Sequence, residues 1–394
     1  MASLIAVDEA RRRVLAEARP LPAEEVPLLE ALGRVLAEPI VSGMHVPPFD
    51  SSAMDGVAVV AGPGGERRVI GESRAGRPAR ERVTPDAALR VSTGAELPAG
   101  ANAVVPVERL EWAAELVRVP DTTPGENVRR AGEDVRAGDV ALPAGARLGP
   151  AELGVAAALG RARVRCAARP RLALAITGDE LTEPGEPLGG GRIFNSNAYA
   201  LAAQAARAGA TLARREAVPD TADATREALA LCLAAADVVC VSGGVSVGEH
   251  DHVKAALAAL GVEERFWGVA LKPGKPTWFG VRAGTLVFGL PGNPVSAMVT
   301  FELLVRPALR ALQGADPEPR RAAAVLDEPL ERSPGREQAV RVRLRARDDG
   351  WHAEVTGAQG SHRLTSMLGA DALARVPRGE GALAPGERVE IELL

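Results

Sequence analysis

Two of the chain's three lysines stand in one pentapeptide, Lys272-Pro-Gly-Lys-Pro276, and the third is Lys254. The background is rich in alanine and arginine, so a position that stays lysine points to a chemical need. An ammonium is a compact point charge that arginine's planar fork does not replace at a tight anion site. Here the prolines stiffen the loop and Gly274 lets it turn. Two ammoniums are thereby held on a rigid backbone, as an oxyanion or polyanion requires. Asparagine is also scarce, at Asn102, Asn127, Asn195, Asn197 and Asn293. Arg192-Ile-Phe-Asn-Ser-Asn197 places two of the five at the start of a helix, where Asn197 reads as the N-cap and capping chemistry alone would also account for both.

Three further segments carry chemistry at the ends of apolar strands. Ser242-Gly-Gly-Val-Ser-Val-Gly-Glu-His-Asp251 runs a buried strand into paired glycines and then a helix, a place where backbone N–H groups approach an anion. It is neither a P-loop nor a GxGxxG fingerprint. Glu249 and Asp251 add carboxylates there, and acids beside a phosphate call for a bridging Mg²⁺. Gly289-Leu-Pro-Gly-Asn-Pro-Val-Ser-Ala297 follows a strand and opens a helix, with Pro294 suited to the first turn. Thr177-Gly-Asp-Glu-Leu181 supplies Asp179 and Glu180, able to hold a metal or polarise water. Each segment has an ordinary reading as a well-made turn. The five histidines show no metal-ligand spacing beyond the His250/His252 pair, and there is no nucleophile–base triad signature.

The elements that position these residues follow from periodicity. Residues 4–18 read as an amphipathic helix, and a second short helix covers 28–37. From 41 to about 140, short β-prone pieces alternate with Gly and Pro, the texture of a small β-rich domain. Residues 150–160 are helical again. From 170 onward, buried apolar strands (170–178, 237–242, 285–290) alternate with helices (197–208, 222–235, 251–260, 295–312), which predicts an open α/β sheet. Ligands of such sheets bind beyond the carboxyl ends of the strands. Residues 315–321 read as a linker, and 322–394 as a small β-barrel or sandwich.

Composition excludes other classes. Of 394 residues, 46% are hydrophobic and 25% charged, which rules out long-range disorder. A net charge of −4 gives no field for a nucleic-acid backbone, and no uncharged apolar run is long enough to span a membrane. Cys166, Cys232 and Cys240 lack CxxC spacing, which argues against zinc or a disulfide framework and suits a reducing cytoplasm.

Eight ordered motifs join these segments: PPFDSSAMDGVAV, STGAELPAGANAVV, NVRRAGEDV, ITGDEL, IFNSNAYAL, SGGVSVGEHDHVK, LKPGKPTWFG and GLPGNPVSAMVTFELLVRPAL. With QGSHRLTSMLGADALARVP near the end, they resemble the molybdopterin molybdenumtransferase family, which includes the gephyrin E-domain. The resemblance implies a Mg²⁺-dependent conversion of adenylylated molybdopterin and molybdate into molybdenum cofactor and AMP. It implies a homodimer whose site is shared between subunits, and a molybdopterin adenylyltransferase as partner. It also implies four domains: an elongated one from 1–42 and 140–168, a β-rich insertion at 43–139, a central Rossmann-like three-layer α/β domain at 169–314, and a C-terminal β-barrel at 320–394. The overall class is then α/β plus β.

The resemblance further assigns roles. Asp251, Asp220 and Glu180 would hold Mg²⁺. Lys272 and Lys275, with Ser296, would bind molybdate or phosphate oxygens. Thr93, Asp55, Asp134 and Arg129 would complete the site across the dimer. Gly243, Gly244, Ser246, Pro291, Asn293, Pro294 and Asn195 would line the substrate site, with Ser361 and Arg341 as additions from the C-terminal domain. Two positions depart from the family pattern: Gly268 where some members carry lysine, and Val57 where tyrosine is frequent. Two other readings compete: a non-catalytic scaffold, and a nucleotide pyrophosphatase on the same fold. Molybdate dependence separates them.

Overall fold

The structure is a computed structural model and describes residues 4–244 and 252–394. The chain opens on helix α1 (Val7–Glu17), which buries Val7, Ala10 and Val14 along one stripe. The second expected helix is reduced to a 3₁₀ turn, Leu28–Glu30. Gly33 then takes φ +75°, outside the helical region, so the turns stop although Ala31, Val35 and Leu36 are buried.

The chain divides into two compact units. One comprises residues 26–32 and 38–164. Its centre is a six-stranded sheet in the order Ala103–Pro106, Gly56–Val59, Ala87–Val91, Gly65–Ser73, Leu116–Val119, Glu111–Ala113. Alternating inward residues, Val57, Val59, Ala88, Val105 and Val117, form its core. Val57 is fully buried in this core. Helix α2 (Pro150–Ala158) starts on a proline, and Glu152 folds back onto the Gly149 N–H at 2.8 Å.

The other unit holds residues 1–25, 33–37 and 165–394. Its α/β part is a six-stranded sheet ordered Thr211–Val218, Arg171–Thr177, Val238–Ser242, Thr285–Leu290, Trp278–Arg282, Glu263–Trp267. The first four strands are parallel and the last two antiparallel. Leu172, Leu174 and Ile176 face α3 (Ser196–Arg207) and the long helix of residues 294–312. Ala173, Ala175, Val239 and Val241 face α4 (Ala222–Ala235) and α5 (Val253–Ala259). Both faces are covered, which is why these strands read as unbroken apolar runs. The earliest strand has the second on one side and the third on the other. That is the 2-1-3 winding of flavodoxin-type doubly wound sheets.

The long helix is α6 (Pro294–Thr300), a π-helical segment Phe301–Val305, and α7 (Arg306–Leu312). The C-terminal strands close on themselves. Glu337–Arg347 pairs with both Gly350–Val355 and Ala372–Val376. Arg388–Leu393 and Arg321–Leu326 complete the ring, giving a five-stranded barrel around Val342, Ala374 and Ile391.

Candidate active site

The sheet's winding reverses between strands Arg171–Thr177 and Val238–Ser242, and beyond their carboxyl ends lies a cleft of about 680 Å³. The four loops leaving the parallel strands line it: Gly178 and Glu180, Asp220, Gly243 and Gly244, and Pro291–Pro294. Asn195, Ser196 and Asn197 add the first turn of α3. Of the residues expected from sequence, Glu180, Asp220, Gly243, Gly244, Pro291, Asn293, Pro294 and Asn195 are thus brought together. Ser246 and Asp251 lie outside the described residues.

The loops are locked to one another. Asn197 Nδ2 donates to Ser242 Oγ at 2.9 Å and to the Gly292 carbonyl at 2.7 Å, tying α3 to two strand ends. Asp179 and Asp220 exchange bonds, each backbone N–H donating to the other's carboxylate at 3.4 and 3.2 Å. Gly243 has φ +91°, and a Cβ there would sit 2.5 Å from Thr177 Oγ1, so only glycine closes this turn. Asn195, and not Asn197 as expected, caps α3: its Oδ1 accepts from Ala198 N–H at 3.2 Å. Its Nδ2 donates to Glu183 at 3.1 Å, so both ends of the amide are engaged in local structure. Ser361 reaches the rim, where Asn293 Nδ2 donates to its hydroxyl at 3.0 Å.

A second cavity of about 280 Å³ is lined by Lys272, Pro273, Gln338, Arg341, Gln359 and Gly360. Lys272 is placed there because the short strand Leu271–Lys272 pairs in parallel with Glu337–Gln338 of the barrel. Arg341 is 1% exposed. Its guanidinium donates to Ser366 Oγ at 3.1 and 3.2 Å and to the Ala339 carbonyl, with no carboxylate partner among the described residues. Burial alone pushes its pKa down to about 10, so it stays charged at neutral pH. Lys275 is exposed on the same loop and Ser296 is buried in α6; neither lines either cavity. Gly268 has φ +85°, a backbone that disfavours lysine or any other L side chain at this place.

In the other unit, the Thr93 N–H donates to Asp55 at 2.8 Å, joining two residues from separate motifs. Arg129 lies opposite Ser51 on paired two-residue strands, and the Asp134 N–H donates to the Val46 carbonyl.

Sequence reasoning passed over Thr177, Phe194 and His362, all on the cleft wall. Asn197 carried a signal in the scarcity of asparagine; Phe194 carried none beyond its place in the IFNSN motif.

Fold and site together define a doubly wound α/β protein with a cleft of glycine turns, amides and two carboxylates at the switch point and a barrel-borne basic cavity. Family models match the chain at residues 5–160 (MoeA N-terminal region, domain I and II), 173–311 (probable molybdopterin binding domain) and 323–394 (MoeA C-terminal region, domain IV). A molybdopterin molybdenumtransferase of Haemophilus influenzae is 36% identical, over 99% of this chain and 98% of its own. Molybdopterin molybdenumtransferase 2 of Mycobacterium tuberculosis is 37% identical, over 96% and 97%. The crystal structure of a molybdopterin biosynthesis moeA protein from Pyrococcus horikoshii OT3 superposes with a TM-score of 0.86 at 31% identity, covering all of both chains. The chain belongs to the molybdopterin molybdenumtransferase family and is, with it, a transferase of molybdenum cofactor biosynthesis. Among the described residues, no helix is long and apolar enough to cross a membrane.

Proposed function

We propose that this chain inserts molybdenum, taken as molybdate, into adenylylated molybdopterin and releases AMP. The observation that carries the reading is Arg341. A buried guanidinium without a carboxylate is costly to maintain, and here it shares a small cavity with Lys272. A tetrahedral oxyanion supplies the missing negative charge, and fixed cations around it stabilise charge that develops on its oxygens. Lys275 adds a further ammonium on the same loop. The larger cleft takes the adenylylated pterin, with the Gly243-Gly244 turn, whose Gly243 N–H is bound to the Leu290 carbonyl, offering the Gly244 N–H to its phosphates.

The donor set of the cleft fits Mg²⁺. Asp220 and Glu180 both line it, and among the described residues neither is in an ion pair. Mg²⁺ typically takes one or two carboxylates and keeps several waters, so this pair suffices to hold it beside a phosphate. When bound, the ion would neutralise phosphate charge. We place the reaction in the cytoplasm, in a homodimer in which a second copy presents its Asp55, Thr93, Arg129 and Asp134 to the site. The adenylylated substrate calls for a molybdopterin adenylyltransferase as supplying partner.

The test is AMP release from adenylylated molybdopterin with Mg²⁺, with and without molybdate, by wild type, Lys272→Ala and Asp220→Ala. Molybdate-dependent release, lost in both variants, is expected. Release that ignores molybdate would replace this reading with a pyrophosphatase, and no release from folded protein with a scaffold.

A further inference from the structure

We infer that Phe194 is the stacking platform for the flat fused ring of the substrate, and that Asn197 hydrogen-bonds the edge of that ring. The inference rests on the reading of the larger cleft as a site for a nucleotide-like pterin substrate. Phe194 and Ile193 line that cleft with 43% and 56% of their surface exposed, and neither belongs to an apolar core. The cleft's other apolar side chains, Ile176 and Leu181, pack into the core of the sheet. What remains of the wall is mostly glycine, proline, amide and carboxylate. An open phenyl ring in such surroundings offers its face to another ring.

The platform is held rigid, as a preorganised site must be. Ile193 and Phe194 form a two-residue parallel ribbon with Leu181 and Thr182. Hydrogen bonds flank the ring on both sides, Ile193 N–H to the Glu180 carbonyl and Asn195 N–H to the Thr182 carbonyl, each at 2.9 Å. Glu183 then anchors the segment by accepting from Asn195 Nδ2, from Tyr199 Oη at 3.0 Å and from Arg215 Nη2 at 3.0 Å.

Asn197 supplies the second, independent observation. It is 9% exposed and lines the same cleft. Its amide orientation is fixed, because the Gly292 carbonyl can only accept and therefore faces Nδ2. That leaves Oδ1 buried with no hydrogen-bond donor among the described residues. An apolar ligand would cover Phe194 but donate nothing, and a phosphate would neither stack nor donate. A fused heteroaromatic ring bearing an amino group does both, and adenine and a pterin are the two sources of it.

The experiment measures calorimetric binding of AMP, a soluble pterin and ribose 5-phosphate to the full chain, as wild type, Phe194→Ala and Phe194→Tyr. Phe194 is substantially exposed, so the alanine variant is expected to fold, and its melting temperature checks this. If adenine occupies the platform, Phe194→Ala weakens AMP by about ten-fold, Phe194→Tyr restores it, and ribose 5-phosphate is unaffected. AMP lacking its exocyclic amino group then binds wild type several-fold more weakly. If the pterin occupies it, the same loss falls on the pterin and AMP is unchanged. Equal affinity of wild type and Phe194→Ala for both rings overturns the inference and leaves the cleft's assignment standing. Failure of wild type to bind either ring overturns both.

Discussion

Arg11 of α1 and Glu392 of the last barrel strand, 381 positions apart, form an ion pair in which Nη2 donates to both carboxylate oxygens at 2.8 and 3.0 Å, and both side chains are buried. Arg11 Nε also donates to the Leu303 carbonyl at 3.1 Å, inside the π-helical segment. Glu392 in turn bonds Arg375, which holds Glu337 and Asp8. One carboxylate therefore serves two buried guanidiniums. Removing it leaves Arg11 with only the longer contact to Asp8 at 3.6 Å and takes one of three carboxylates from Arg375, whereas replacing the Arg11–Glu392 pair by apolar groups leaves no under-compensated charge at Arg11. Glu392→Ala is expected to lower unfolding free energy by about 3–5 kcal/mol in denaturant titrations. The double variant Arg11→Met/Glu392→Met should be clearly more stable than Glu392→Ala. Equal stability of the two would show that the pair adds nothing beyond packing.

The turn after strand Val238–Ser242 makes a second, local prediction. At Gly243 a methyl group meets Thr177 Oγ1, on a backbone that only glycine adopts without strain. Gly243→Ala is expected to lose about 1–3 kcal/mol of stability and to weaken AMP binding, because the turn that lines the cleft is displaced from its bond to the Leu290 carbonyl. Gly243→Ala/Thr177→Ala removes the nearest clashing atom but keeps the positive φ, so it should recover only part of the loss. Full recovery in melting temperature would assign the whole effect to the contact.

Arg341 separates binding from stability. Its charge is costly to bury, so Arg341→Met, of similar length, is expected to fold with stability within about 1–2 kcal/mol of wild type. The molybdate concentration that gives half-maximal AMP release should nevertheless rise at least about ten-fold, the scale of one lost charge-assisted contact. Unchanged molybdate dependence in a folded variant would remove Arg341 from the oxyanion site.

Much of this arrangement was legible from spacing, and what was not has a common cause. Strand ends and glycine turns are local, so the segments that wall the cleft could be read from apolar runs ending in Gly, Pro and Asn. The helix boundary at Asn195 was misplaced by two residues, because both asparagines have capping chemistry and Glu183 decides between them from 12 positions away. The helix expected over 28–37 is cut short because Gly33 turns the backbone to φ +75°, although Ala31, Val35 and Leu36 are buried as the apolar pattern suggests. The pairing of Lys272 with Arg341 in one cavity depends on the barrel closing and on a short strand joining it, contacts between residues nearly 70 apart. The winding order of the sheet was equally hidden, since alternating strands and helices fit either order.

His352 gives the chain a defined pH response. Its ring is 7% exposed on strand Gly350–Val355, with Nδ1 2.8 Å from Asp327 and Nε2 2.9 Å from Asp349. Two carboxylates accept from the two nitrogens only if both carry protons, so the site selects the imidazolium. These two bonds raise the His352 pKa above the ordinary 6.5, against burial and the nearby Arg347, which ion-pairs with Asp327 at 2.7 Å. In return, His352 holds the Asp349 carboxyl below its ordinary range. A raised folded-state pKa means that the stabilisation is complete below about 6.5 and is lost as pH climbs through the higher native value. Melting temperature should therefore decline between about pH 6.5 and 8.5, and His352→Gln should decline less over the same window. The ring's own titration, followed by NMR, should show a midpoint above 6.5 in wild type and an ordinary value in Asp327→Asn/Asp349→Asn. An ordinary midpoint in wild type would refute the clamp, because the two carboxylates would then not be holding a charged ring.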